Sequence, residues 1–285
     1  MQKIEVQDWV PRLINGLLDG YDPSFGLGSM TCNVYDTAWI ACVKKTVRGH
    51  SQWLFPSSVS YILDSQSPNG GWPAHPGEED SDGVDGILST MAALYCLTQH
   101  EKNPLQLRHL HNGGLTERLN KATARLGTML EPWRVDRCKA VGFEVLIPSL
   151  LELLSAESIW FDFPGRTLLL QMRDKKLSKV RPEMLYMNAP VALLHSLEAF
   201  HGCGDFSFDK VGHHKVGGSM MASPSATASY LMQCTNWDDE AEAYLRLVVS
   251  NEEGNGSGGV PSAYPSTNFE VTWVKKSHLL ELSGR

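Results

Sequence analysis

The stretch Pro190-Val191-Ala192-Leu193-Leu194-His195-Ser196-Leu197-Glu198-Ala199-Phe200 is the starting point for interpreting the chain. The leucines at 193, 194 and 197 recur with helical spacing, which predicts a helix with one buried face. Because proline is tolerated in a first helical turn, Pro190 is predicted to start this helix. His195 lies beside the apolar stripe, and Glu198 in the next turn can hold its ring or favour its charged form. Taken by itself, the pattern also fits a surface histidine on an amphipathic helix.

Helical periodicity continues on both sides of this stretch. Helices are predicted at residues 6–19, 35–43, 55–65, 86–99, 115–130, 147–157, 190–200, 223–232, 237–249 and 268–282. Residues 201–218 resemble a Gly/His-rich linker, and residues 251–259 are the most loop-like segment. No sustained alternation with β-branched residues occurs, so few strands are expected. Helices joined by short Gly/Pro turns predict an all-α protein, either an α/α-barrel or a solenoid of helical hairpins.

Composition limits the class of protein. The chain has 285 residues, 42% of them hydrophobic and 20% charged, with a net charge of −7. This negative balance disfavours nucleic acid and anionic membranes as partners. The first residues are charged, and no apolar run is long enough to span a bilayer. The six cysteines are scattered without metal-site spacing, which predicts reduced, mostly buried thiols in a cytoplasmic protein.

One motif combines a glutamine, a turn and a tryptophan. In Tyr61-Ile62-x3-Gln66-x3-Gly70-x-Trp72, the glutamine at a helix end is expected to hydrogen-bond the following turn, while Trp72 covers the junction between helix pairs. The spacing resembles the QW repeat of terpene cyclases. On either interpretation, an ordinary helix and turn or a QW repeat, the motif is structural.

Further segments resemble class II diterpene cyclases, in the order in which that family has them. They cover nearly the whole chain and are Asn33-Val34-Tyr35-Asp36-Thr37-Ala38-Trp39-Ile40-Ala41, Gly142-Phe143-Glu144-Val145-Leu146-Ile147-Pro148-Ser149-Leu150-Leu151, Leu193-Leu194-His195-Ser196-Leu197-Glu198, Ser223-Pro224-Ser225-Ala226-Thr227-Ala228 and Gly258-Gly259-Val260-Pro261-Ser262-Ala263-Tyr264-Pro265. The segments at 237–242 and 269–273 are similar to fungal bifunctional copalyl diphosphate and kaurene synthases.

The resemblance implies an arrangement of domains and a reaction. Residues 1–24 would be the first helix of a β domain, residues 25–265 a γ domain built as an α-helical barrel, and residues 266–285 a truncated start of the returning β domain. Active members protonate geranylgeranyl diphosphate and cyclise it to a copalyl-type diphosphate. Such chemistry needs a strong, positioned acid, a dry apolar cavity and aromatic faces for the carbocation.

The resemblance also implies roles for three residues. His195 occupies the position of a catalytic histidine that holds a water as part of the base. Ser262 occupies the position of the asparagine that usually assists that histidine, and a serine can also hold a water. Lys176 matches a lysine that contacts the diphosphate, for which a compact ammonium charge is suited. Lys175 and Lys179 are close enough in sequence to compete for that assignment.

The chain departs from the family pattern at its metal and acid motifs. Mg²⁺ is implied as a cofactor by resemblance only, because Glu131 and Asp136 are the sole acidic residues in the segment that corresponds to the metal-associated run. The acid motif Asp-x-Asp-Asp is absent from the sequence. Asp238 and Asp239 imitate a class I metal motif but are expected to stabilise a helix N-terminus instead.

Three functions follow from these observations. The first is the N-terminal part of a class II diterpene cyclase, truncated and inactive alone, whose full-length form acts on geranylgeranyl diphosphate and can carry a class I lyase domain. The second is a pseudoenzyme or partner domain that associates with a full-length terpene synthase. The third is an α/α-barrel glycosidase using carboxylates among Glu78, Glu79, Asp80, Asp82 and Asp85, which cluster in one loop rather than on opposite walls of a cleft.

Overall fold

A computed structural model describes residues 28, 30–75, 83–107, 114–180, 182–250, 257–267 and 270. Its contacts divide the chain into two units. The first comprises residues 1–30 and 263–285, and the second residues 31–262. In the first unit, the Glu270 amide donates to the Ser266 carbonyl at 3.0 Å. The predicted helix at 6–19 lies outside the described residues, and so does the predicted helix at 268–282 except for residue 270. The assignment of three domains stays a prediction.

The second unit is helical, which confirms the predicted all-α class. Its α-helices are α1 Val34–Ala41, α2 Pro56–Asp64, α3 Val84–Lys102, α4 Leu115–Leu130, α5 Phe143–Ala156, α6 Arg166–Leu177, α7 Pro182–Leu185, α8 Pro224–Gln233 and α9 Asp239–Ser250. The 3₁₀ helices are Leu105–Leu107, Val135–Arg137, Ala192–Phe200 and Phe208–His214. The short strands are β1 Cys32–Asn33, β2 Lys44–Val47, β3 His50–Trp53, β4 Lys215–Val216, β5 Ser219–Met220 and β6 Val260–Pro261.

Helix α1 is the centre of this unit. It packs against α2, α3 and α8, and every residue in it except Tyr35 is buried. Its start is fixed by Asn33, whose Oδ1 accepts the Asp36 amide at 2.8 Å, and by the Thr37 hydroxyl, which donates to the Asn33 carbonyl at 2.5 Å. An N-cap of this kind satisfies backbone donors that the helix itself leaves free. The start of α1 is therefore fixed by hydrogen bonds to Asn33.

The glutamine–tryptophan motif joins α2 to α4 as predicted. Gln66 Nε2 donates to the carbonyls of Gly70 at 3.0 Å and Arg118 at 3.2 Å. The Trp72 indole is fully buried and donates to the Ile62 carbonyl at 2.7 Å. Gly70 has φ +98°, and a Cβ there would lie 2.6 Å from the Lys121 backbone. Only glycine allows the turn to approach α4 this closely.

Within the described residues, the few strands form three two-stranded antiparallel pairs: β1 with β6, β2 with β3, and β4 with β5. Sequence patterning misses the β2–β3 hairpin because its residues are mostly exposed and show no apolar alternation. The prediction of a linker at residues 201–218 is wrong. Phe206, Phe208 and Val211 in that segment are buried, and it contains a 3₁₀ helix and strand β4, which pairs with β5 just after it.

One helix prediction needs correction. The segment around His195 is not an α-helix beginning at Pro190. It is a 3₁₀ helix over Ala192–Phe200 with a non-helical kink at Ser196 (φ −119°, ψ 42°). After the loop that ends with Pro164 and Gly165, helix α6 spans Arg166–Leu177. The basic run at 173–179 is thus largely its C-terminal turn, where cations meet the helix dipole favourably.

Candidate active site

Two of the predicted site residues lie on different elements: Ser262 follows strand β6, and His195 lies in the 3₁₀ helix Ala192–Phe200. Strand β6 pairs with β1 in the register Asn33 to Val260, and the Val260 amide donates to the Thr37 hydroxyl at 3.0 Å. Ser262 follows β6 directly, after Pro261, which pairs with Cys32. Burial raises the pKa of Asp36 in the first turn of α1, and the interaction with His195 lowers it. The predicted pairing of His195 with Ser262 stays a prediction.

The two side chains on either side of the kink at Ser196, His195 and Glu198, differ in their exposure to solvent. In a regular 3₁₀ helix, residues three apart lie on the same side. Here His195 is exposed while Glu198 is only 2% exposed. Glu198 therefore does not present its carboxylate on the surface beside His195. The Glu198 carboxylate accepts a hydrogen bond from the Tyr35 hydroxyl at 3.0 Å.

Ser262 is exposed, like His195. A hydroxyl in this position has both a donor and acceptor lone pairs available for a water or a ligand. Both side chains thus face outward from the unit of residues 31–262, which does not enclose them by itself.

Lys176 lies in the last turn of α6, in an ion pair with Glu144 in the first turn of α5. Its side chain remains 35% exposed. None of the contacts among the described residues joins Lys176 to His195 or Ser262. The structure thus fixes the lysine between two helices that pack together, and its predicted role stays a prediction.

A buried polar cluster lies behind His195, and sequence reasoning misses it. The Tyr35 hydroxyl donates to Glu198 Oε1 at 3.0 Å, and Asp36 is 4% exposed. Burial, and next the negative charge of Asp36, raise the pKa of Glu198 to about 8. Burial also raises the pKa of Asp36, although the hydroxyl of Ser225 lowers it. The sequence does contain a signal for this cluster, since Asp36 and Glu198 each stand in an otherwise apolar segment. That signal does not predict their burial, because the burial depends on contacts between segments that are distant in the chain.

A separate cleft of about 630 Å³ opens at the other end of α1. It is bordered by Cys42, Lys44, Trp53, Tyr95 and His201, among others, and by none of the three predicted site residues. The His201 ring packs edge-on against Trp39 at 5.2 Å, and its Nδ1 lies 3.0 Å from the Ser229 hydroxyl. Burial lowers the pKa of His201 to about 4, so this histidine is neutral at pH 7.

The acidic residues considered from sequence do not assemble a metal site. Asp136 pairs through both carboxylate oxygens with Arg134, at 3.1 and 3.0 Å, and Glu131 is exposed. No group of three or more metal-ligating side chains occurs among the described residues. Asp238 accepts the amides of Glu240 and Ala241 and so caps α9, as its predicted helix-terminus role requires. Of the glycosidase carboxylates only Asp85 is described, in the first turn of α3.

None of the described helices is both long and apolar enough to cross a membrane.

Comparison with known proteins reveals close relatives, although no family model matches the chain. It is 46% identical over 271 residues to phyllocladan-16-alpha-ol synthase from Phomopsis amygdali, an alignment that covers 94% of this chain and 26% of that protein. It is 44% identical over 273 residues to copalyl diphosphate synthase from Talaromyces verruculosus, covering 96% of this chain and 28% of that protein. The chain spans about a quarter of the length of the curated relatives it matches.

Solved structures give the same relationship. Ent-copalyl diphosphate synthase from Arabidopsis thaliana, crystallised with (S)-15-aza-14,15-dihydrogeranylgeranyl thiolodiphosphate, superposes with a TM-score of 0.69 at 27% identity, covering 94% of this chain and 35% of that one. Abietadiene synthase from Abies grandis superposes with a TM-score of 0.70 at 25% identity, covering 94% and 32%. The predicted α/α-barrel class is thereby confirmed.

Proposed function

We infer that this chain, which is homologous to class II diterpene cyclases over nearly its whole length, supplies the base side of a site that cyclises geranylgeranyl diphosphate to a copalyl-type diphosphate. The observation that supports this most directly is the 44% identity to a copalyl diphosphate synthase over 96% of this chain, in which His195 and Ser262 are both exposed on the unit of residues 31–262.

In the proposed reaction, His195 and Ser262 hold a water that accepts a proton from the cyclised carbocation while it gives a proton to His195. His195 is thus the final base, and Ser262 is the second hydrogen-bonding partner of the water. Positioned general bases contribute about 10²–10⁴-fold to rate. The exposure of both residues gives a substrate direct access to them from outside the unit of residues 31–262.

Lys176 is proposed to contact the diphosphate. Glu144 fixes the lysine side chain between α5 and α6, and the exposed third of that side chain leaves room for an anion. A lysine ammonium acts on phosphate as a compact point charge. Because Glu144 neutralises part of this charge, we expect Lys176 to affect the affinity for substrate more than the rate of the chemical step.

The chain is proposed to be inactive by itself. Protonation of an alkene needs a strong acid, and the sequence contains no Asp-x-Asp-Asp motif to supply one. His195 and Ser262 are also left open to water on the unit that bears them, whereas carbocation chemistry requires water to be excluded. Both the acid that protonates the alkene and the surface that excludes water from His195 and Ser262 would have to come from residues other than the described ones.

The implied Mg²⁺ does not fit the residues present. Asp136 is occupied by Arg134, and no cluster of ligands exists in the described part of the chain. Mg²⁺ prefers several oxygen ligands in octahedral geometry, commonly together with substrate phosphates. No step of the proposed reaction is therefore assigned to a metal held by these side chains.

The test has two arms. In the first, the purified chain is incubated with geranylgeranyl diphosphate and Mg²⁺, and products are dephosphorylated and identified by gas chromatography–mass spectrometry. No bicyclic product is expected, and its appearance would contradict the proposed inactivity.

In the second arm, the 285 residues replace the matching segment of the Talaromyces verruculosus synthase. This chimera is expected to yield a copalyl-type diphosphate. A chimera that folds and binds substrate but forms no cyclised product would contradict the proposed function.

A further inference from the structure

The β2–β3 hairpin has an edge whose backbone groups are unused. Just outside the paired strands the Leu54 amide donates to the Val43 carbonyl at 2.9 Å, and the register continues with Lys44 opposite Trp53. Because hydrogen-bonded and non-hydrogen-bonded positions alternate in an antiparallel pair, the amides and carbonyls of Lys44 and Thr46 point away from β3. No hydrogen bond outside the hairpin uses these backbone groups within the described part of the chain.

Trp53 faces the opposite edge, as this alternation requires. Its amide donates to Gln106 Oε1 at 3.1 Å, and its carbonyl accepts from Gln106 Nε2 at 2.7 Å. One glutamine side chain thus takes the place of a neighbouring strand at this point. The hairpin therefore has a capped edge on β3 and an open edge on β2.

The cleft of about 630 Å³ runs along this open edge. Three consecutive residues of β2 line it: Lys44, Lys45 and Thr46. Because successive side chains of a strand point to opposite faces, a cavity over one face alone would meet only alternate residues. Other lining residues come from α3, including Tyr95, and from the segment between α8 and α9, including Trp237. The cleft thus leaves space beside β2, in the volume range of about 300–1,000 Å³ typical of binding pockets.

The charges available at this edge are positive. The segment 44–53 contains no acidic residue. Lys45 is paired with Glu242, and Asp239 lies 3.8 Å from its ammonium group. Lys44 and Arg48 are exposed, and neither forms an ion pair with a carboxylate of the described ranges. An acidic ligand would therefore find two positive charges that are not already neutralised.

We propose that the open edge of β2 binds an acidic, extended segment of another polypeptide, which adds to the hairpin as a third strand and occupies the cleft. The amides and carbonyls of Lys44 and Thr46 would form the hydrogen bonds of this added strand, and Lys44 and Arg48 would attract its acidic side chains. A second copy of this chain is a poorer occupant, because two β2 edges would bring like charges together. Neither His195 nor Ser262 lines the cleft, so this surface is independent of the proposed function.

The first test measures binding of defined peptides to the 285-residue chain. The probes are peptides of about nine residues, long enough to pair with the whole of β2. In one set glutamates alternate with varied apolar residues, and in a second set lysines replace the glutamates. We expect fluorescence anisotropy to detect binding in the acidic set alone, with an affinity that falls as salt is added. No binding in the acidic set, or equal binding in both sets, would overturn the proposal.

The second test separates backbone pairing from charge attraction. The tightest acidic peptide is resynthesised twice, with N-methyl groups on alternate amides in each of the two phases. Because alternate amides of a strand point to opposite edges, only one phase blocks pairing with β2. We expect that peptide to lose about 10-fold or more in affinity and the other to bind like the parent. Equal affinities of the two methylated peptides would refute strand addition.

The third test changes the edge itself and has a matched control. Thr46→Pro removes an outward amide of β2, and Ser51→Pro removes the outward amide of the residue opposite it on β3, so neither variant loses a hydrogen bond between the strands. We expect Thr46→Pro to weaken binding about 10-fold or more and Ser51→Pro to change it less than about 2-fold. Equal effects would contradict the assignment of the binding edge.

Circular dichroism establishes that each variant is folded, and the methylated peptides decide the question on the unsubstituted chain if one is not. Sedimentation velocity tests the other occupant. A dimer that Thr46→Pro dissociates, in a chain that binds no acidic peptide, would overturn the proposal in favour of a second copy.

Discussion

Replacing Gly70 by alanine should destabilise the chain strongly. Gly70 has φ +98°, and an added Cβ would lie 2.6 Å from the carbonyl carbon and oxygen of Lys121. The left-handed conformation costs an alanine about 1–2 kcal/mol. Displacing a helix backbone adds a cost like that of overpacking a core, about 1–3 kcal/mol. We therefore expect the free energy of unfolding to fall by about 2–5 kcal/mol, a large part of the roughly 5–15 kcal/mol typical of a domain.

The chain offers a matched control for this substitution. Gly127 lies inside α4, where an added Cβ would have nothing within 4 Å and where the backbone φ is not left-handed. Since glycine in a helix interior is less favourable than alanine by about 0.8–1 kcal/mol, Gly127→Ala should stabilise the chain slightly. Both variants are compared with the wild type by urea unfolding, followed by circular dichroism and tryptophan fluorescence. If Gly70→Ala were no less stable than Gly127→Ala, the close approach of the turn to α4 would be wrong.

Three further predictions concern other buried groups. Trp72→Phe should lower the free energy of unfolding by about 1 kcal/mol or more in urea titrations, because the Ile62 carbonyl loses its indole donor; stability equal to wild type would contradict this. Folded Glu198 keeps its proton up to about pH 8, whereas the ordinary glutamate value is 4.5, so the free energy of unfolding should fall as pH rises between these values, by up to about 1.4 kcal/mol per pH unit. Glu198→Gln should flatten that slope, and an unchanged slope in urea titrations from about pH 5 to pH 8.5 would exclude a raised pKa. Finally, Ellman's reagent should modify exposed Cys203 quickly and buried Cys96 only on unfolding, since burial raises the pKa of the Cys96 thiol; loss of the fast phase in Cys203→Ser is the check.

Local sequence patterns predict the helices well where apolar spacing and end signals agree. The pattern predicts α4 at residues 115–130, and the helix spans Leu115–Leu130 with Gly114 before it. The junction at Gln66 and Trp72 also follows from its motif, because its hydrogen bonds are made within a short stretch and to one neighbouring helix. In such segments the local signal and the tertiary packing favour the same structure.

The errors occur where long-range contacts decide the structure. The spacing of Leu193, Leu194 and Leu197 fits an α-helix, yet the segment is a 3₁₀ helix with a kink at Ser196. Phe206 and Phe208 are buried in a segment whose glycines and histidines resemble a linker. The proposed roles of His195 and Ser262 rest on resemblance to a family, since the two residues lie far apart in the chain. The buried state of Asp36 and Glu198 cannot be predicted from local patterns, because it arises only when α1, α8 and the 3₁₀ helix pack together.

The measurement that tests the central claim most directly is the activity of the chimera with and without the base. The unsubstituted chimera, His195→Ala and Ser262→Ala are compared for turnover of geranylgeranyl diphosphate and for product identity, with Gly127→Ala as the control substitution. We expect a rate loss of about 10²–10⁴-fold for His195→Ala, the range of a general base, and an altered or slower final step for Ser262→Ala. A His195→Ala chimera that forms the same product at the rate of the unsubstituted chimera would contradict the assignment of His195 as the base.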